Sequence, residues 1–159
     1  MNKKNKERGF TMLEVIAILI ILGIIVAVAI SRYMSQQAYE SIPQTEIFKS
    51  HLRYAQQLSI NGDSTNIYGI QIGTGTTSYS LMQNGVASSR WLPGESSNTH
   101  NFISGVTLTG VNANDKISFD QWGSPSVNSI SLVNNLTINV IEGSVTNTFT
   151  ITKNTGFIQ

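Results

Sequence analysis

One run of apolar residues near the start sets the terms for this chain. From Phe10 to Ile30 the residues are all apolar except Thr11, Glu14 and the small Gly23, and twelve of the sixteen from Val15 to Ile30 are Val, Ile or Leu. As a helix rising about 1.5 Å per residue, the run reaches roughly 31 Å, the thickness of a hydrocarbon core. Its aliphatic side chains favour insertion by roughly 4–7 kcal/mol in sum, enough to carry one costly acid near the end. A carboxylate inside such a segment signals function, and the question it poses is what it pairs with.

Charge is placed unevenly around this run. Lys3, Lys4, Lys6 and Arg8 stand against Glu7 in the first nine residues, although the whole chain has a formal net charge of only +1. Basic residues ahead of an apolar span put residues 1–9 in the cytoplasm and everything after Ile30 outside. There is no cysteine. That excludes a disulfide framework, a zinc–cysteine site and a reactive thiol, so an exported domain must hold by packing alone.

After Ile30 the chain turns polar but stays helix-compatible. Met34, Ala38, Ile42, Phe48, Leu52 and Ala55 form one stripe at helical spacing. Pro43 predicts a bend or break near Ser41–Pro43, and Gly62 suits a left-handed cap after Ile60. From about Asn66 the period shortens to two. Strands are expected at Asn66–Ile72, Ser78–Gln83, Phe102–Thr109, Lys116–Asp120, Ser129–Val133, Leu136–Glu142 and Thr146–Thr152, with Val86–Asn101 as a loop. Turns are expected at Gly73–Gly75, Asn84–Gly85, Asn134–Asn135 and Glu142–Gly143. The fold class is α+β: a long N-terminal helix, membrane-spanning over 10–30 and amphipathic over 31–60, packed on a small antiparallel β domain at 61–159.

Several other signals point to nothing sharper. His51 and His100 lack further ligands for zinc, so solvated or packed histidines are expected and no metal site is assigned. Gly73–Ser78 resembles a phosphate loop but lacks its lysine, which leaves a hairpin connection. Asp115 and Asp120 flank a strand as surface acids do, with calcium as the alternative. Trp91 and Trp122 fit either core or contact surface. Residues 61–159 hold only Arg90, Lys116 and Lys153 against five acids, the wrong balance for nucleic acid. No catalytic set can be assembled, so an enzyme is not expected, and no cofactor is implied.

Gly9-Phe10-Thr11-Met12-Leu13-Glu14, with the basic residues before it and the apolar run behind, resembles the N-terminal signal of type IV pilins and type II secretion pseudopilins. Three shorter stretches resemble the GspH/FimT-type minor pseudopilins: Leu52-Arg53-Tyr54-Ala55-Gln56-Gln57, Lys116–Asp120 with Gly123-Ser124-Pro125, and Phe149–Gly156. Where many major pilins carry a proline after the apolar run, this chain has Ser31. The resemblance implies a pilin-like fold, removal of residues 1–9 as a leader by a prepilin peptidase cutting between Gly9 and Phe10, and N-methylation of Phe10. It further implies assembly with other pilins or pseudopilins, from membrane lipid, by an inner-membrane platform driven by a cytoplasmic ATPase.

Cleavage would create an α-amine that is largely protonated at neutral pH. Buried among apolar helices it needs an anion, and Glu14 of an adjacent subunit is the expected partner, fixing the axial step of a helical filament. Gly23 fits either close helix packing or a tolerated small residue. The expected function is therefore a structural, minor subunit of a type II secretion pseudopilus or type IV pilus. The alternative is an adhesin-like binding module that uses the β domain. Two bland readings remain beside these: a secretory signal cut after Ala27-Val28-Ala29, giving Ile30 as first residue, and an uncleaved anchor that keeps Met1.

Overall fold

The computed structural model describes residues 11–36 and 41–159, which fall into two compact units, Met1–Gln37 and Ala38–Gln159. The described part of the first unit is one helix, α1 (Met12–Gln36). The second opens with α2 (Ser41–Ile60) and continues in ten strands. In order these are β1 (Tyr68–Ile72), β2 (Ser78–Gln83), β3 (Val86–Ala87), β4 (Thr99–Asn101), β5 (Val106–Thr109), β6 (Lys116–Phe119), β7 (Pro125–Val127), β8 (Ile130–Ser131), β9 (Leu136–Glu142) and β10 (Val145–Ile151).

The α+β expectation holds, and the strands of the β domain divide into two sheets. The larger runs β3-β2-β1-β6-β7-β8, with β4 sharing the outer side of β2 with β3; the smaller runs β10-β9-β5. Every pairing is antiparallel. Register puts the apolar residues of each strand on one face: Ile70 lies between Leu81 and Ile117, and Ile138 lies opposite Phe149. β2 and β9 occupy the residues that alternation predicts. β3 and β4 lie inside the expected loop Val86–Asn101, and β7 escapes the pattern, because two- or three-residue strands are too short to show a period.

Between the sheets lies α2. Its buried positions are Thr45, Phe48, His51, Leu52, Ala55 and Ser59, spaced at three, four or multiples of a turn. Phe48 is the centre, with ring centroids 4.6 Å from Tyr79 of β2, 5.7 Å from Phe149 of β10 and 6.0 Å from Phe102. One side chain thus joins helix and both sheets. Ile42, expected in the stripe, is exposed; Met34 and Ala38 have side chains outside the described residues. Pro43 does not break the helix where it stands. It falls in the first turn of α2, where no intrahelical partner awaits its missing N–H. The link between α1 and α2, residues 37–40, lies outside the described residues.

The helix end also differs from expectation. Gly62 is absent from the positive-φ glycines. Its need is for space: a Cβ there would stand 2.8 Å from the Leu58 carbonyl oxygen. Ser59 then starts the sheet, its hydroxyl accepting from the Tyr68 amide at 2.8 Å. The Asn84–Gly85 turn is as expected: both residues have positive φ, 52° and 79°, closing the β2–β3 hairpin as the two-residue turn requires.

Candidate functional site

The N-terminal helix begins with a cap. The Glu14 amide donates to the Thr11 carbonyl at 3.1 Å and to the Thr11 hydroxyl at 3.3 Å. Thr11-Met12-Leu13-Glu14 is a capping-box sequence, in which the hydroxyl satisfies a free N–H of the first turn and an acid in that turn complements the helix dipole. These bonds belong to the Glu14 backbone amide; its carboxylate adds to the helix start by standing in the first turn, and the Thr-x-x-Glu spacing was the signal for it. Gly9 and Phe10 lie outside the described residues.

Behind the cap, Met12–Ile30 has a mean hydropathy of 3.2 and none of it is buried. Nothing lies within 4 Å of a Cβ placed on Gly23. The span is long and apolar enough to cross a membrane, and its side chains are open on every side.

In the second unit, three stretches far apart in sequence meet at Gln56. Its Nε2 donates to the carbonyls of Gly123, Thr155 and Gly156 at 2.9, 3.2 and 3.1 Å, while Arg53 donates to the Ile158 carbonyl at 2.9 Å. Gly123 and Gly156 both have positive φ, 80° and 63°. A Cβ on Gly156 would run into the Gly123 carbonyl and the Gln56 amide, so glycine is required there twice over. The three short motifs of the sequence are one clamp.

The two histidines, distant in sequence, share a buried cluster. His51 Nε2 faces the Pro93 carbonyl at 2.9 Å, so that nitrogen donates and Nδ1 accepts from the Tyr79 hydroxyl at 2.8 Å. Burial holds the His51 pKa below the ordinary histidine value, against the pull of the Pro93 hydrogen bond. Burial likewise pushes the Tyr79 hydroxyl up. His100 lies 5.7 Å from His51 between rings; its Nδ1 is 2.6 Å from Glu95 Oε1 and its Nε2 3.0 Å from Gln44 Oε1. His100 is thus held between a carboxylate and a side-chain amide. These are packed histidines, and the network ties α2 to β2, β4 and the loop between β3 and β4.

Asp115 and Asp120 are turn formers. Asp115 accepts from Asn112 and Asn128; Asp120 accepts from the Trp122 and Ser124 amides at 2.9 and 2.8 Å. Among the described residues no group of three or more His, Cys, Asp or Glu could hold a metal ion. Trp91 and Trp122 are exposed, at 64 % and 78 %.

An apolar helix with a capped, acid-bearing start, and a two-sheet domain closed by α2, define a class: the chain carries a prepilin-type N-terminal methylation segment and a pilin-like α+β fold. Residues 4–30 match the family described as the prokaryotic N-terminal methylation motif. The fold is similar to that of the minor pseudopilin EpsH from the type 2 secretion system of Vibrio cholerae. Identity is 15 %, with a TM-score of 0.53, over 76 % of this chain and 94 % of that one. The type IV minor pilin FimU of Pseudomonas aeruginosa (strain PAO1) is also similar, at 15 % identity and a TM-score of 0.47, over 81 % of this chain and 88 % of that one. No curated protein matches the sequence.

Proposed function

We propose that this chain is a structural subunit, of the minor type, in a type II secretion pseudopilus or type IV pilus. One observation carries the reading: a methylation motif at residues 4–30 overlaps a 19-residue apolar span, none of which is buried. Only lipid or neighbouring helices can cover such a surface, and the two serve in succession, membrane first and filament core second. The Gly9–Phe10 bond is the cut, made by a prepilin peptidase, and Phe10 is the residue methylated. The α-amine so exposed pairs with Glu14 of an adjacent subunit. Residues 1–9 face the cytoplasm, α1 crosses the inner membrane once, and the α2–β unit lies outside, where other pilin-type subunits and the assembly platform receive it.

N-terminal sequencing of the protein purified from its filament tests this. The expected first residue is N-methylated Phe10; Ile30 would make it a secretory protein, and Met1 an uncleaved anchor. The adhesin-like reading draws on the exposed Trp91 and Trp122, and it predicts a few copies at the tip where a shaft subunit is abundant along the fibre.

A further inference from the structure

On the solvent side of the larger sheet is a groove of about 820 Å³, lined by β6, β7 and β8, the β2–β3 turn and the residues after β10. That volume is in the range of ligand sites, roughly 300–1,000 Å³. Its floor is short and hydroxylic, with Ser118 and Ser126 paired across β6 and β7. Two of the three basic residues in 61–159, Lys116 and Lys153, line it, while only one of the five acids there, Asp120, does. The groove is thus net positive in a region that is net negative.

Both cations are held ready. Lys116 Nζ donates to the Gly85 carbonyl at 2.9 Å, and Lys153 Nζ to the Val133 carbonyl at 3.1 Å. Neither meets a carboxylate among the described residues. An ammonium has three N–H groups, so each lysine keeps two for a ligand. Asp120 has one oxygen turned to two backbone amides, and its single charge leaves the two lysines in excess. Ser124 and Ser126 already donate to the Asn154 and Ser118 carbonyls, so the two lysines set the preference of the groove, and what fits it is negatively charged.

The lining also contains no aromatic residue. That removes the stacking platform on which bases and sugar rings are bound. What remains is an extended polypeptide carrying Asp or Glu, whose apolar side chains can rest on Ile67, Pro125 and Leu132. The described residues of the α2–β unit of a second copy do not supply it. Among the described residues of the α2–β unit, Glu46 is paired with Lys49, Glu95 with His100, and Asp115 and Asp120 with their own turns; Glu142 is buried. Only Asp63 is left, one acid and no segment.

We infer that this groove docks an acidic, extended segment of a different subunit of the same assembly, with Lys116 and Lys153 as its two charge contacts. The class of ligand stands on the groove alone; the subunit as its source rests on the filament reading above.

Two measurements on the full chain test it. In detergent micelles, a fluorescent peptide of alternating Asp and Ser should bind, weaken as salt rises, and lose about tenfold or more in affinity with Lys116→Gln and Lys153→Gln together, ~1.4 kcal/mol per tenfold. The Asn/Ser peptide should not bind, and Arg90→Gln, outside the groove, should change nothing. Unchanged melting would show that the lysine variants fold. Binding that ignores both lysines overturns the inference, as does an equal affinity for the neutral peptide or tighter binding of polygalacturonate. In cells, a photo-crosslinker at Ser126 should capture an Asp- or Glu-bearing stretch of another pilin-type subunit. Capture of a second copy, or of no subunit, overturns the assignment of the source. A wrong filament reading would show separately, as a mature N-terminus other than Phe10 with the peptide binding intact.

Discussion

The Tyr79 hydroxyl donates to His51 Nδ1 across 2.8 Å, a bond that only a neutral His51 can accept. With its folded pKa held below the ordinary value of about 6.5, His51 resists protonation in the folded chain more than in the unfolded one. The unfolded state then takes up more protons as pH falls below 6.5, and stability is lost on that side. The charges facing this ring are those of His100 and Glu95. The melting temperature should be level above pH 6.5 and fall as the medium is acidified through the depressed value. His51→Asn should melt lower at neutral pH yet show a shallower fall, and an equal slope in both proteins would exclude His51 as the source.

Among the described residues, Phe48 is the one side chain with ring contacts on both sheets. Its removal leaves a void that neither sheet can fill without moving. Phe48→Ala should cost about 3–5 kcal/mol, read as a lower denaturation midpoint at unchanged slope. Phe48→Leu should recover much of that.

At Gln56, the two N–H groups of one amide are shared among three carbonyls. Gln56→Ala leaves them to solvent or unpaired, at about 1–3 kcal/mol. The same loss should appear as faster hydrogen exchange of the Gly123 and Gly156 amides, with β2 unaffected. Protection unchanged at those two amides would mean that Gln56 does not hold the loops.

Glu142 is buried, with its Oε2 lacking a hydrogen-bond partner among the described residues. A buried acceptor without a donor costs about 1–3 kcal/mol. Glu142→Met keeps the length and removes the lone oxygen, so its melting temperature should rise. A fall would show that the carboxylate is held by a contact worth more than its desolvation.

Thr11 and Glu14 allow a separation of roles. Glutamine serves in a capping box as glutamate does, so Glu14→Gln should keep the start of α1 and its insertion while removing the charge. Charge pairing with the new α-amine predicts that this variant inserts, is processed and fails to assemble. Thr11→Val should weaken the first turn of α1 while filaments still form. Filaments of normal number from Glu14→Gln would leave only the cap as its role.

Long, strongly periodic segments were open to reading from sequence: α1 by its length and apolarity, β2 and β9 by alternation, the β2–β3 turn by Asn84–Gly85. What escaped was set by partners distant along the chain. β4 is Thr-His-Asn, polar by composition, and His100 faces inward only because Glu95 and Gln44 receive it. The division into two sheets depends on β5 pairing with β9 and not with β6, a choice no local pattern records. At the N-terminal segment, Glu14 stood out as an acid among aliphatics, whereas its bond to Thr11 was readable only as spacing.

The reach of the Gln56 clamp has a consequence for how the protein is made. Gln56 and Gly156 are 100 positions apart, so the loops cannot be secured until the chain has been synthesised through Gly156. The apolar helix is delivered first. On the topology proposed above, the strands made in that interval stand outside the bilayer with their inner faces bare, and the lipid anchor at one end would keep such half-finished molecules apart.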